Sequence, residues 1–447
     1  MPSQGTIGDR VRGLRLNRRM SQAQLAGPDL SDSYVSLIES GKRTPTPVVA
    51  RLLAERLGCT TEFLLHGIEP RQRIDTELGL RHAELELRHG DPVLAAERFT
   101  EIVKAADEEN AMLTAHARFG RARALEAQGR LGQAVEAFER LRREASAHPE
   151  RLADLPLAVA LSRCYQHAGD RLRARDLAAH ALEQAERLAL TQGEIAVDLA
   201  AAIVEAREEM DSDSTELAYV RRVLEVNGVP GVVDRSGEIH ALWQASVAAA
   251  AGDDSALAVR LADDAITAGR PARIALQLAR VAVHWARLTT TPVAEAERLV
   301  EAAARTFTLA PGAGAERGEA LIAHARVRLR AGDPARAGEL ASAVLETAAD
   351  ASRTTAAEAR LVLATVALDL GGDASAHLAG AFELLQALGR PLYGTDRPAA
   401  RCWRELGDLY GRAGGRAQQT AAYRKALEAA GVHSALAGLP VNAAVSG

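Results

Sequence analysis

Cysteine is scarce in this 447-residue chain: Cys59, Cys164 and Cys402 are odd in number, far apart and form no Cys-x-x-Cys. That excludes a disulfide framework or a cysteine zinc site and fits reduced, buried thiols. Aromatic residues make up only 3%. No apolar run reaches 18 residues, and the start Met-Pro-Ser-Gln-Gly-Thr lacks the charged and apolar stretches of a signal, so a cytoplasmic location is expected. Catalytic signatures are missing too. There is no His-Glu-x-x-His, no Gly-x-Ser-x-Gly and no phosphate loop ending in Gly-Lys-Ser or Gly-Lys-Thr. Gly312, Gly314 and Gly318 have the wrong spacing for a dinucleotide fingerprint, and His82, His89 and His116 stand alone on helical stretches without a carboxylate or thiol at ligand spacing. The expectation is a protein that is no enzyme and holds no cofactor or metal.

What the chain has in quantity is alanine, leucine and arginine, within a 47% hydrophobic composition. This points to many close-packed helices and an all-α fold. Charge divides unevenly. The first 66 residues carry nine Lys or Arg against six Asp or Glu, a net of +3, so the remaining 381 residues hold −8 of the chain's −5 total.

The basic segment contains the clearest motif. Ser21 with Gln24 makes a capping box, and the helix it opens runs through Leu25 and Ala26 until Gly27-Pro28 stops it. Ser31 caps a second helix with Val35 and Ile38 inward and Asp32, Ser33, Ser36 and Ser40 outward, ending at Gly41. Before these, Ile7 to Arg19 is amphipathic with Val11 and Leu14 inward. After them, Thr46-Pro47 opens a helix carrying Leu52, Leu53 and Leu57, and Thr60 a short one holding Phe63 and Leu64. Five helices in about 60 residues make a marginal but workable core.

Residues 5–67 resemble the lambda-repressor-like helix-turn-helix domain of the Xre family, through Ser21-Gln22, Leu25-Ala26, Ser36-Leu37-Ile38-Glu39-Ser40-Gly41 and Arg43-Thr44-Pro45. The turn Gly27-Pro28-Asp29-Leu30 is one residue shorter than the commonest family form. The resemblance implies that Gln22 sits on a phosphate through its amide, that Asp32, Ser33 and Ser36 face base edges in the major groove, and that Lys42 and Arg43, with Tyr34 adding to them, hold the DNA backbone. It also implies an interhelix ion pair between Arg15 and Glu39. Taken singly, each of these polar residues reads more readily as a solvated surface group than as a base reader; only their shared face favours DNA. A +3 module holds phosphates weakly, so two copies reading half-sites about 34 Å apart are expected, which makes the protein a homodimer on a double-stranded operator.

Beyond residue 76 the chain repeats. Gly90, Gly129, Gly169, Gly252, Gly332, Gly371 and Gly414 interrupt helical stretches at spacings of 39, 40, 83, 80, 39 and 43 residues. The two long gaps are double steps, with missing turns near Asp211-Ser212-Asp213-Ser214 and Thr289-Thr290-Thr291-Pro292, so nine units of about 40 residues follow. Seven residues before each glycine stands a small residue (Ala83, Ala122, Ser162, Ala245, Ala325, Ala364, Gly407), and five after most of them an alanine (Ala95, Ala134, Ala174, Ala337, Ala376). This grammar resembles the tetratricopeptide repeat, best in Trp403, Leu406, Gly407, Tyr410, Gly414, Tyr423 and Ala426, with Gln419 where that family has Ala. HEAT or armadillo stacking is the alternative for the middle units. Either way neighbouring helix pairs stack into an α-solenoid with a concave groove.

By the tetratricopeptide pattern the groove receives Glu84, Arg123, Arg163, Ser246, Arg326, Thr365 and Asp408. Arg123, Arg163 and Arg326 suit a carboxylate or an acidic segment. Against that, arginine supplies nearly all the basic charge here, so all three read more readily as local pairs with Glu or as solvent-lining groups. Asparagines that bind a peptide backbone are few: Asn17, Asn110, Asn227 and Asn442. The boundaries read as 1–67 for the DNA-binding domain, 68–76 for a linker, 77–434 for the repeats and 435–447 for a tail. The function expected is a DNA-binding transcriptional regulator whose array dimerises and senses a peptide, small molecule or protein. The alternative is an adaptor that holds a protein in the groove and docks through its first domain.

Overall fold

The computed structural model of the chain describes residues 6–66, 70–105, 111–149, 151–206, 215–346, 352–388 and 396–431. Among them there are 22 helices and no strand. The fold is all-α. The first five helices are α1 (Ile7–Asn17), α2 (Gln22–Ala26), α3 (Asp32–Glu39), α4 (Pro47–Arg56) and α5 (Thr61–His66). Their core is Val11, Leu25, Val35, Ile38, Leu53, Leu57 and Leu64, all sealed from water, with Leu14 half-buried at its edge.

The array follows as α6 (Pro70–His89), α7 (Pro92–Ala105), α8 (Ala111–Ala127), α9 (Leu131–Ala147), α10 (Asp154–His167), α11 (Arg171–Arg187), α12 (Glu194–Ala206), α13 (Thr215–Asn227), α14 (Ser236–Ala251), α15 (Ser255–Arg287), α16 (Val293–Leu309), α17 (Gly314–Arg330), α18 (Pro334–Glu346), α19 (Arg353–Asp369), α20 (Ser375–Gln386), α21 (Arg397–Arg412) and α22 (Arg416–Ala429). Nine helix pairs are present if α15 is counted twice. Its 33 residues serve as the second helix of the fifth pair and the first of the sixth, and run through Pro271 without a break. The expected turn at 289–292 lies where the spacing put it: Thr291 Oγ1 donates to the Trp285 carbonyl at 2.8 Å, and α16 starts behind Pro292. The other expected turn, 211–214, lies outside the described residues, as do Asn110, Asn442 and the tail 435–447. Of the expected linker 68–76, residues 68 and 69 are also outside them, while 70–76 are the opening turns of α6.

The small residues pack as expected in most pairs, with two corrections. In the fifth pair the left-handed turn residue is Asp253 (φ 69°), one position after Gly252. That slip exposes Ala245 and seals Ser246, whose hydroxyl donates to the Ala258 carbonyl at 2.7 Å. Ser162 makes the same bond to Ala174 at 2.7 Å, twelve residues on in both cases. Ala376 is exposed as well, because the paired glycines Gly371 and Gly372 lengthen the turn and α20 begins only at Ser375. Elsewhere a bare backbone makes room for a ring. A Cβ on Gly120 of α8 would lie 2.4 Å from the Phe99 ring of α7, and one on Gly407 of α21 would lie 2.5 Å from the Tyr423 ring of α22.

The chain divides into two compact units, one of residues 1–152 with 237–268 and one of 153–236 with 269–447. The first corrects the expectation of stacking strictly in chain order. Leu78 and Leu85 of α6 bury against Ile239 of α14 and Ala258, Ala262 and Ala265 of α15. Arg81 pairs with Asp263 at 2.5 Å. As the first helix of a repeat array, α6 has no preceding repeat to cover its apolar face, and α14 with α15 supplies that cover. In the second unit one core joins α10 to α13, the later part of α15, α16 and α17. Cys164 and Cys402 are buried, whereas Cys59 is only half-buried, and none of the three is in a disulfide.

Candidate nucleic-acid interface and array lining

Both short helices that frame the interface are fixed by their own caps. Ser21 Oγ accepts from the Gln24 amide at 3.1 Å while Gln24 Oε1 accepts from the Ser21 amide at 2.7 Å, the reciprocal box read from the sequence. Ser31 Oγ accepts from the Tyr34 amide at 3.1 Å. The turn between them is held by a residue that sequence reasoning did not find. Arg56, at the end of α4, donates to the carbonyls of Leu25 (3.1 Å) and Ala26 and pairs with Asp29. Gly27 takes φ 54°, and a Cβ there would fall 2.7 Å from the Arg56 guanidinium carbon. The one available signal was Pro28, which has no N–H to offer the last carbonyls of α2, so a donor had to come from elsewhere.

A buried network ties α3 to the rest of the domain. Arg15 of α1 donates from Nε to Glu39 Oε1 at 2.6 Å, from Nη2 to Oε2 at 2.9 Å and from Nη1 to the Met20 carbonyl at 2.9 Å. Burial works against charge on Glu39, but hydrogen bonds from Arg15 and Gln22 and the attraction of Arg15 and Arg12 outweigh it, so its carboxyl titrates below the ordinary range. Gln22 Nε2 donates to Glu39 Oε2 at 2.8 Å. Its amide, expected on a phosphate, therefore commits one of two N–H donors to the domain's own frame. Gly8 completes the arrangement. A Cβ there would stand 2.4 Å from the Ile38 carbonyl oxygen, so α1 lies backbone to backbone on the end of α3.

With Val35 and Ile38 sealed inward, the outer side of α3 exposes Asp32, Ser33 and Ser36. Leu37 lies on that side too, and Ser40 Oγ donates to its carbonyl at 3.1 Å. Asp32 Oδ1 accepts from the Ser33 amide at 2.8 Å. The amides of Lys42 and Arg43 both donate to the Leu37 carbonyl, at 3.0 and 3.2 Å, which sets the basic loop directly after the helix. Both side chains are exposed, and among the described residues neither has a carboxylate partner. The Arg43 guanidinium lies 5.0 Å from the ring centroid of Tyr34, which is half-buried. Of the arginines crowding α1, Arg10 donates to the Leu64 and Leu65 carbonyls and Arg18 to that of Gly58, so they serve the domain's own chain; Arg12 and Arg19 are exposed.

Residues 11–64 match the family model described as Helix-turn-helix. They form a helix-turn-helix domain. No curated protein matches the chain. Among solved structures, it is similar to PlcR of Bacillus thuringiensis in complex with the peptide PapR7 and DNA, at 13% identity over 68% of this chain and 95% of that one, with a TM-score of 0.30. The apo form of RapI is matched at 13% identity over 89% and 95% of the two chains, with a TM-score of 0.44. A Rap protein complexed with competence and sporulation factor is matched at 12% over 94% and 97%, with a TM-score of 0.40.

Behind the helix-turn-helix domain, the expected groove residues do not form a row of free guanidinium groups. Arg123 lies in the first unit and pairs with Glu84 at 3.1 Å. In the second unit Arg326 makes a two-pronged pair with Glu405 at 3.0 and 2.8 Å, and Arg163 acts on Glu205. Ser246 leaves the groove set altogether, being sealed. Thr365 bonds back to the Leu361 carbonyl at 2.9 Å, and Asp408 accepts from the Tyr423 hydroxyl at 2.5 Å. Arginine finds carboxylates because first helices of nearby pairs, adjacent for Arg123 and next but one for Arg326, carry both signs.

Those carboxylates, which the repeat pattern did not single out, make the second unit's lining a connected run of opposite charges. Burial pushes Glu205 up to about 7, with Asp198 and Glu319 adding to the rise and Arg163 and Arg280 opposing it. Glu319 is raised in the same way, beside Arg287 and Glu358. Burial holds His284 down at about 3, helped by Arg287, Arg401 and Arg280, so its 3.9 Å approach to Glu205 is no ion pair at neutral pH. Desolvated as they are, these side chains keep contact with solvent: 21% of Glu205, 31% of His284, 32% of Arg326 and 27% of Glu405 is exposed. Among the described residues, no helix is long and apolar enough to cross a membrane.

Proposed function

We propose that this chain is a sequence-specific regulator of transcription that binds an operator in double-stranded DNA as a homodimer and whose helical array receives an effector. One observation carries the reading. Asp32, Ser33 and Ser36 stand exposed on a helix that α1 and α2 lock in place, next to a basic loop whose Lys42 and Arg43 have no carboxylate partner among the described residues. Hydroxyls bond base edges of several kinds, and a carboxylate accepts from a cytosine amino group. Lys42 and Arg43 supply the phosphate contacts that set register. With two of the three α1 cations, Arg10 and Arg15, engaged internally, one domain offers few charges to DNA, which favours a dimer on two half-sites about 34 Å apart.

For the effector, the mixed lining of the second unit favours a short peptide or small zwitterion over a purely anionic ligand. Each arginine there already faces a carboxylate, so a ligand bearing both signs exchanges existing pairs for its own. The test is to mix purified full-length protein with sheared genomic DNA, sequence the retained fragments and footprint the enriched site. A shared two-fold-related motif supports the reading. Retention without any enriched sequence, at every salt concentration that permits binding, refutes it.

A further inference from the structure

In the second unit, α16 and α17 bring together three side chains that neither the DNA interface nor the polar lining uses. Glu297 and Glu301 stand one turn apart on α16, on the same face, and His324 reaches them from α17. One ligand-type atom from each lies within 4.8 Å of the other two. His324 is the telling member. It exposes 6% of its surface, and its Nε2 has no hydrogen-bond partner, yet that nitrogen points at the carboxylates, 4.0 Å from Glu301 Oε1. A buried ring nitrogen left unsatisfied is costly and rare, and here it faces two oxygens that repel each other.

We propose that Glu297, Glu301 and His324 bind one divalent transition-metal ion of the zinc class, with water completing the shell. One imidazole nitrogen and two carboxylate oxygens are a donor set that zinc accepts with bonds of about 2.0–2.2 Å, and the imidazole disfavours magnesium and calcium, which want oxygen alone. A tetrahedral ion with such bonds holds its ligand atoms about 3.3 Å apart. The three atoms therefore close by roughly an ångström, a movement that glutamate side-chain rotation supplies. Glu301 is 43% exposed, which gives the ion a way in from solvent. Burial keeps His324 below its ordinary pKa, in the neutral form able to donate a lone pair. Arg328 is the competitor. Its Nη2 holds Glu297, leaving the second carboxylate oxygen for a metal, so the site is weaker than a closed structural one. Bound there, the ion pins the sixth helix pair to the seventh.

The test uses metal-stripped, untagged full-length protein titrated with Zn²⁺ against a chromophoric chelator. One ion per chain is expected, with affinity at least tenfold weaker in Glu301→Gln and in His324→Gln, and tighter in Arg328→Gln, where Glu297 is released. X-ray absorption of the loaded protein should show a nitrogen and oxygen shell with one imidazole. Glu301 is exposed, so its variant folds and decides the matter even if the His324 variant does not. No bound zinc in the parent protein, unchanged affinity in Glu301→Gln, or sulfur in the metal shell would each overturn the proposal.

Discussion

Arg15 and Glu39 meet in a two-pronged ion pair with 10% and 5% of their side chains exposed, and that pair is the pin on which α3 is aimed. Charges so enclosed stabilise only as a couple: removing one partner strands the other at about 3–5 kcal/mol, whereas replacing both with apolar groups is close to neutral. Arg15→Met or Glu39→Leu alone should therefore sharply reduce amide-exchange protection of α1 and α3 in the full-length protein. The double variant should recover most of it. Equal losses in single and double variants would contradict the pairing.

The same pair sets a response to acid. Glu39 titrates below its ordinary value, so its contribution is complete above about pH 4.5, where the unfolded carboxyl is ionised, and disappears as pH falls through the lower folded value. Protection of α3 should hold between pH 5 and 8 in about equal measure and fall in stronger acid. In Glu39→Gln the acid-induced fall should be smaller.

Base reading and phosphate holding are separable. Asp32→Ala with Ser33→Ala should remove about 1–3 kcal/mol for each lost base contact, flattening preference among sequences while leaving the melting temperature within about 2 °C of the parent. Lys42→Ala should weaken binding to all sequences alike and lower the slope of log affinity against log salt by about 1. Footprints that are the same for the Asp32 and Ser33 double variant and the parent would sink the assignment.

Gly8 tests the fit of α1 on α3. Alanine is worth about 1 kcal/mol more than glycine inside a helix, yet the added methyl would sit 2.4 Å from the Ile38 carbonyl oxygen, and overpacking against backbone costs about 1–3 kcal/mol or more. Gly8→Ala should lower both thermal stability and operator affinity. The neighbouring Gly13, with open space at its Cβ position, should tolerate alanine or gain from it.

Glu205 should make the array less stable as pH rises. Its folded pKa of about 7 lies above the ordinary 4.5, so between those values the folded chain keeps a proton that the unfolded chain has released, and stability falls across that window by about 3 kcal/mol at most. Glu205→Gln should raise the melting temperature at pH 8 and change it little at pH 5. A variant as pH-sensitive as the parent would place the titration elsewhere.

Much of this was legible where the cause is local. The caps at Ser21, Ser31 and Thr46, the stops at Gly27 and Gly41, and the nine-pair rhythm all come from neighbours a few residues apart, and sequence carries such signals directly. The Arg15 to Glu39 pair was legible only through family likeness. Arg56, Gly8 and the carboxylates of the lining escaped because their partners are 27 or more residues away, and nothing in their surroundings marks them. The run of α15 through Pro271 escaped for the opposite reason: the local rule was clear and tertiary packing overrode it. Likewise a single glycine, Gly252, suggested a register that Asp253 in fact sets.

The flush contact of Gly120 with Phe99, and of Gly407 with Tyr423, makes each couple a unit of inheritance. A methyl gained on one side is tolerable only if the ring shrinks on the other, so lineages that drift must change both members within a short interval. Such correlated exchanges, sought across distant descendants, would reveal which helix pairs share an origin long after ordinary similarity has faded.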